Sequence, residues 1–586
     1  MKQFLLTMAG VFAGLLLFFV GVPILLIGAL AGAAKPAATP SNAVLSLDLR
    51  NGLTDQEPQG AFNFFGGQKL AVMSVISALH RAETDDRVKA VFVRLPEGGI
   101  EPGEADELRL AFRHFEAAGK PIITHSQGLY PSGAIASTYQ LGAASSELWM
   151  QPGAPFQATG MASEDMFFKR FFDKYGIKAD FEQRYEYKNA VNGYLFDDYT
   201  AAHKESELGW MGSIYQSALT SAAADRKQDP NKLRATIEAG PYDAGDALAK
   251  GLVDKIGEVK DAQSAVLAKA GDGAKLVDMD DYIREGRDGS VGAGPTVAVI
   301  DAEGDITTGP PGNIGSNDIN SDATSNALYQ AAEDDSVKAI VFRVNSPGGS
   351  DTASEQILAA VKAAKAKKPV VVSMGTYGAS GGYWISSAAS AIVAEPTTLT
   401  GSIGVYGGKF ALGPALSKFG VDMRDLSVGG QYADADGSAN EFTPAQRAAF
   451  AASIDKVYAG FTSRVAEGRH IPLARVQQIA RGRVWTGLQA KQLGLVDEVG
   501  GFYQAVDKAK ALAGITGEVR LKTITSRKSP FDAIAQAFGV SSTSVRTFSQ
   551  VAWLLNDPKA QSALRDLTEA KLRSQGALVL APVPRF

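Results

Sequence analysis

The sequence predicts an α/β protein made of two tandem copies of one domain, each around a mainly parallel sheet, behind a single N-terminal membrane helix. Three observations predict it. The first is internal repetition. Asp85-Asp86-Arg87-Val88-Lys89-Ala90-Val91-Phe92 returns as Asp334-Asp335-Ser336-Val337-Lys338-Ala339-Ile340-Val341, a shift of 249, and Lys250–Gly257 returns as Leu493–Gly500, a shift of 243. Between them Lys120-Pro121 and Lys368-Pro369 each introduce an apolar run, and Ser132-Gly133 and Ser380-Gly381 stand eleven residues after each proline. Landmarks in one order with nearly one shift are the mark of a duplication. The second observation is the alternation of short β-branched runs with helical periodicity. The third is an uncharged stretch from Gln3 to Ala34.

That stretch is rich in Leu, Phe, Val and Gly, and about 20 such residues span a bilayer core as a helix. A secretory signal has an apolar core of only ~7–15 residues, so residues 3–34 read as a retained anchor. A signal cleaved near Ala31-Gly32-Ala33-Ala34 is the alternative. Lys2 and the amino terminus precede the span, which by the positive-inside rule leaves the rest of the chain outside the cytoplasm.

The first copy is expected over residues 43–290 and the second over 295–520, with the Gly-rich seam Glu285–Pro295 between them. In the second copy, Val297–Ile300 and Ala339–Val344 read as buried strands. Thr352–Lys368 carries Ile357, Val361 and Ala364 at helical spacing, and Val370–Met374 is again strand-like. Strand, helix, strand implies right-handed βαβ units. Residues 521–586 lie beyond the repeat and hold one amphipathic pattern (Val545, Phe548, Val551, Leu555), expected as a docking helix.

Composition removes several function classes. Hydrophobic residues make up 45% and charged residues 21% of the 586, an ordinary globular balance. With 58 Lys plus Arg against 63 Asp plus Glu, no basic excess exists to bind nucleic acid through bulk charge. Cysteine is absent, which removes disulfides, thiolate catalysis and cysteine-held metals. Five scattered histidines show no ligand spacing, and no motif calls for a metal or cofactor.

The chemistry concentrates in two Gly-rich turns of the second copy, each directly after a strand: Asn345-Ser346-Pro347-Gly348-Gly349-Ser350 and Gly378-Ala379-Ser380-Gly381-Gly382-Tyr383-Trp384. Consecutive glycines let backbone N–H groups converge, as an oxyanion hole requires. A serine at a strand-to-helix turn presents its hydroxyl near a helix N-terminus. Two tight turns without function are the plain alternative. Ser380 needs a base. Gly378-x-Ser380-x-Gly382 formally fits the nucleophile elbow of α/β-hydrolases, but only His470 follows, in a polar setting. A lysine made neutral by burial is the other common base. The first copy carries Tyr187-Lys188-Asn189-Ala190-Val191, where the second has Gln431-Tyr432-Ala433-Asp434 at the matching distance before its Phe-Thr pair. Conversely, the first copy has Ser132 without the following Gly-Gly, and Leu95-Pro96-Glu97-Gly98-Gly99 as its earlier turn. Each copy holds half of a site. An ordinary solvated lysine is the competing reading of Lys188.

These motifs, with Leu399-Thr400-Gly401-Ser402-Ile403-Gly404-Val405, the anchor and the duplication, resemble bacterial signal peptide peptidase A of the long, two-repeat type, within the Clp-protease/crotonase superfamily. The resemblance covers roughly residues 1–520. It implies a Ser/Lys-dyad serine endopeptidase that degrades remnant signal peptides at the bacterial cytoplasmic membrane, with its catalytic part on the periplasmic side. By this resemblance Ser380 is the nucleophile, Lys188 the base and Ser402 the group that orients the lysine. Gly349 and Gly381 are the oxyanion donors. The partners it implies are signal-peptide fragments and other apolar peptides, the membrane, and further copies of the chain in a homotetramer; it implies no cofactor, metal or nucleic acid. The chain departs from the family pattern in an insertion after Ser132, in Asn189 and Asn192-Gly193 after the lysine, and in the tail. A crotonase-type acyl-CoA hydrolase or transferase, an α/β-hydrolase-type serine hydrolase and a silent peptide-binding scaffold are the competing functions.

Overall fold

The computed structural model describes residues 38–57, 69–286, 294–309, 318–524 and 578–580. The expected anchor at 3–34, most of the seam and the expected tail helix lie outside the described residues. Among the described residues, no helix is long and apolar enough to cross a membrane.

The duplication is visible as two sheets of one topology. The first sheet has the strand order Lys255–Ile256, Glu147–Met150, Ile122–Ser126, Val88–Arg94, Ala43–Asp48, Lys275–Asp278, and its pairings are all parallel. The second, of eight strands, repeats that order with parallel pairings as Glu498–Val499, Ala391–Ala394, Val370–Ala379, Val337–Ser346, Thr296–Glu303, Arg520–Thr523, and adds Leu399–Gly401 beside Val370–Ala379 with Val484–Thr486 antiparallel to it. Both copies are thus α/β with parallel sheets, as the strand–helix–strand pattern predicts. Their central strands are buried on both faces, which is why they read as continuous Val and Ile runs rather than alternating ones. Helix Asp351–Lys365 buries Ile357, Leu358, Val361 and Ala364 against the second sheet. The Ser350 side chain caps its first turn by accepting from the Ala353 N–H.

One apolar core runs from the first copy into the second. Leu45, Phe112 and Leu148 belong to the same cluster as Val299, Val341, Val371 and Phe502. A second cluster, including Phe342, Ile357, Tyr383 and Phe461, fills the other face of the second sheet. The copies are also joined by a buried ion cluster. The Arg343 guanidinium donates to Asp55 at 3.0 Å and to Glu107 at 2.9 Å, and all three are almost fully buried. Removing the arginine would strand two buried carboxylates, a loss on the order of 3–5 kcal/mol. The Asp106 carboxylate accepts from the Thr397 N–H at 3.1 Å and hydroxyl at 2.7 Å, fixing helix Pro102–Ala117 against the second copy.

A third sheet matters most for the site. Its order is Ile319–Asn320, Ile306–Thr307, Gly348–Ser350, Leu578–Leu580, Val405–Ala411, Lys178–Arg184. Strand Lys178–Arg184 comes from the first copy yet pairs antiparallel with Val405–Ala411 of the second, from Arg184 opposite Val405 to Lys178 opposite Ala411. Arg447 locks this graft through Asp180 and through Glu182 at 3.0 Å. The sequence predicts a Gly-rich turn over Asn345–Ser350. Instead Gly348–Ser350 is a short strand, because Gly349 lies against Ile306 so closely that a Cβ would stand 2.2 Å from the Ile306 carbonyl oxygen.

Candidate active site

The grafted strand delivers Lys188 to the second copy. Four residues after Arg184, its side chain is wholly buried and is among the largest fully buried side chains of the molecule. Lys188 Nζ lies 2.7 Å from Ser380 Oγ, 3.0 Å from the Ser402 carbonyl oxygen and 3.1 Å from Ser402 Oγ. Burial pushes its pKa well below the usual lysine value, and desolvation is the only cause. A buried ammonium without a counter-charge is costly, so burial favours the neutral amine, the form with a lone pair to offer. The solvated-lysine alternative is therefore overturned.

Ser380 ends strand Val370–Ala379 and stands immediately before helix Gly381–Ser386. Its φ of 55° and ψ of −115° lie outside the regions that L-residues favour. The turn is held by the Ser380 N–H donating to the Gly401 carbonyl at 2.8 Å and by the Trp384 N–H donating to the Ser380 carbonyl at 2.8 Å. Ser402 also has a positive φ, 49°. Both hydroxyls around the lysine thus sit on strained backbone, the kind of strain that collects at functional sites. Ser380 and Ser402 are themselves fully buried.

Gly349 and Gly381 meet beside the serine. A Cβ on Gly381 would stand 3.0 Å from the Gly349 nitrogen and 3.1 Å from the Gly348 Cα, so the two backbones touch next to Ser380. Gly381 is also the first residue of its helix, where the N–H has no partner within the helix. Two amides at this place can stabilise a developing oxyanion. Thus the five residues singled out in the sequence, Ser380, Lys188, Ser402, Gly349 and Gly381, converge on one locus. His470 does not: it is an exposed residue at the C-cap of helix Pro444–Arg469, with φ of 55°. Ser132 is exposed as well. Among the described residues, no group of three or more His, Asp or Glu could hold a metal ion.

Sequence reasoning missed the brace behind the lysine. The loop Arg481-Gly482-Arg483 supports both partners: the Arg483 carbonyl accepts from the Ser402 N–H at 2.8 Å, and the Arg481 carbonyl accepts from the Tyr187 N–H at 3.3 Å. Gly482, at φ +83°, lies against Lys188 so tightly that a Cβ would stand 2.5 Å from both the lysine Cβ and its nitrogen. Arg481 donates to both Glu186 oxygens at 2.7 and 2.8 Å, which holds the Glu186 carboxyl below its usual range. The only signal in the sequence is a lone glycine between arginines before a strand, too common to single out.

A serine hydroxyl bonded to a buried amine, beside two abutting glycine backbones, is an arrangement suited to a serine hydrolase. Comparison with known proteins makes the class specific. The model of peptidase family S49 matches residues 114–272 and 362–516, once in each copy. The chain is 34% identical to Protease 4 of Salmonella typhi over 464 residues, covering 76% of this chain and 72% of that protein. It is 31% identical to Protease 4 of Haemophilus influenzae over 580 residues, covering 94% of this chain and 90% of the other. A chloroplastic serine protease, SPPA, of Arabidopsis thaliana is 29% identical, over 80% of this chain and 69% of its own length. The chain belongs to peptidase family S49 and is a serine-type endopeptidase.

Proposed function

We propose that this peptidase works through a Ser380/Lys188 dyad, is anchored in a bacterial cytoplasmic membrane by residues 3–34 with its catalytic part on the periplasmic side, and degrades remnant signal peptides and other apolar peptide ends. The observation that carries the dyad is the 2.7 Å contact between a wholly buried lysine amine and the serine hydroxyl. Neutral Lys188 takes the proton of Ser380 as its Oγ attacks the scissile carbonyl. The N–H groups of Gly349 and Gly381 hold the oxyanion of the tetrahedral intermediate. The Lys188 ammonium then gives its proton to the leaving amine, and the same amine activates water to release the acyl group. Ser402, through its hydroxyl and carbonyl, fixes the amine on the line of transfer.

The uncharged length of residues 3–34 supports the anchor, and the apolar character of signal-peptide cores supports a substrate met at the membrane. Assembly as a homotetramer is part of the same reading and rests on the family resemblance alone. Hydrolysis of an apolar fluorogenic peptide, lost in Ser380→Ala, tests the activity. Turnover of an acyl-CoA thioester with no peptide hydrolysis would overturn it in favour of crotonase-type chemistry. The anchor is tested by the first residue of the chain extracted from membranes: Met1 or its neighbour is expected, and a start near Lys35 contradicts retention.

A further inference from the structure

Lys188 has no opposite charge to hold it. Its amine meets only hydroxyl and carbonyl oxygens, and burial alone lowers its pKa. The place of Nζ is therefore set by the backbone that carries it. The residues on either side of the lysine are both tied to helix Ala201–Asp225. The Tyr187 hydroxyl donates to Glu205 at 3.0 Å, and the Asn189 side-chain amide donates to Glu207 at 3.0 Å. Residues two apart on a helix face different sides, and the two contacts differ accordingly. The Glu205 side chain is 55% exposed and is shared with Arg483, a setting in which a polar pair contributes little. Asn189 is only 3% exposed and the Glu207 side chain 15%.

The buried contact is made against resistance. Burial, with the Asp165 carboxylate adding to it, pushes the Glu207 pKa up to about 7. Among the described residues its one ion-pair neighbour is His203, 3.7 Å away, and burial pushes that imidazole toward its neutral form. Hydrogen bonds from Asn189 and from Trp210, three residues further along the helix, hold the carboxyl instead. Asn189 Oδ1 has no partner among the described residues, so the bond to Glu207 is the one its side chain makes there. Asn189 also opens the short turn Asn189–Val191 that leads away from the lysine.

We propose that Glu207 is a positioning residue of the dyad: through the Asn189 side chain it fixes the turn after Lys188 and so holds Nζ on Ser380 Oγ. The inference rests on the dyad reading above. Gly482 bounds the lysine by packing, and Glu207 adds a directed bond to the residue that follows it.

The test compares the full chain with Glu207→Ala, Asn189→Ala, the double variant, Glu207→Gln and Glu205→Ala on one apolar fluorogenic peptide. Glu207→Ala and Asn189→Ala should each lower kcat by about 10- to 100-fold with KM held within about 2-fold, a loss confined to the chemical step. The double variant should be no worse than the poorer single one, since both remove one contact. Glu207→Gln keeps an acceptor for Asn189 in the same volume and should retain at least about a third of kcat. Glu205→Ala should stay within about 2-fold of the intact enzyme. The pH profile separates positioning from a general loosening: in Glu207→Ala the rise should keep its midpoint and reach a lower plateau, because Lys188 is still buried. A Glu207→Ala kcat within about 2-fold of the intact enzyme overturns the proposal. So do losses that multiply in the double variant, a Glu207→Gln enzyme no better than Glu207→Ala, or a midpoint moved toward the ordinary lysine value of 10.5. Lys188→Ala separates the two levels. If it is inactive while Glu207→Ala is unimpaired, the dyad stands and the positioning falls; if it hydrolyses peptide at the intact rate, the dyad itself falls.

Discussion

The two copies carry the same turns, and only one of them is an active-site candidate. In the second copy Gly349 and Gly381 abut beside a buried Ser380 whose carbonyl accepts from the Trp384 N–H inside the following helix. In the first copy Gly99 and Ser132 occupy the matching places, and a Cβ on Gly99 would stand 2.4 Å from the Ala134 nitrogen. There, however, the Gly99 N–H donates to the Ser132 carbonyl at 2.9 Å, so the amide that would face an oxyanion is consumed by the serine's own backbone. Ser132 is exposed and its helix starts only at Ile135. The first copy instead sends strand Lys178–Arg184 across to the second. Duplication preserved the sheet order in both halves but not the turn; the amine is supplied by one half and the hydroxyl by the other.

The strongest way to break this comparison is to remove one partner at a time. Ser380→Ala and Lys188→Ala should each cut turnover by at least ~10⁴-fold, and the double variant should be little worse, because the pair acts as a unit. Lys188→Arg should be equally inactive, since a guanidinium stays protonated. Peptide hydrolysis under saturating substrate reads all four. Gly482→Ala is the next largest effect. It forces a side chain onto Lys188 and strains a left-handed backbone, so kcat should fall ~10²-fold, the cost of misplacing a catalytic group by about 1 Å. Its KM should move less.

Ser402→Ala should sharpen the account at smaller scale. It removes the contact at 3.1 Å but leaves the carbonyl contact at 3.0 Å, so a loss of about 10-fold, one hydrogen bond's worth, is expected in kcat. Ser402→Thr, which keeps the hydroxyl, should recover part of it. Ser132→Ala should do nothing to activity within about 2-fold, as surface changes away from a site generally do. Loss of activity in that variant would restore a role to the first copy's turn.

Much of this was legible in the sequence because it is local. The repeated Asp-Asp-x-Val-Lys-Ala and Gly-Leu-Val-Asp segments expose the duplication, and Val370–Met374 followed by Gly-Ala-Ser-Gly-Gly exposes the turn that carries Ser380. Lys188 emerged from setting one copy against the other. What stayed hidden depends on distant partners. Lys178-Ala-Asp-Phe-Glu-Gln-Arg184 shows only a short alternation, Ala179 and Phe181, and is otherwise polar because Asp180 and Glu182 pair with Arg447. Nothing local says that it pairs with residues 405–411. Gly482 is one glycine among 62, and its importance comes only from the lysine that lies against it. Leu578–Leu580 reads as an ordinary apolar triplet until its partners are seen.

The central claim is that a neutral lysine from the first copy activates a serine in the second. The rate at which a fluorophosphonate modifies Ser380, followed from mildly acid pH to the ordinary lysine value of 10.5, tests it most directly. The folded lysine pKa is depressed, so the amine is protonated and idle at low pH and becomes a base as pH rises through that lowered value. The account predicts a rate that climbs with one ionisation and levels off well below pH 10.5, and no comparable reaction in Lys188→Ala at any pH. A Lys188→Ala enzyme labelled at the wild-type rate, or a wild-type profile whose rise disappears in His470→Ala, would contradict it.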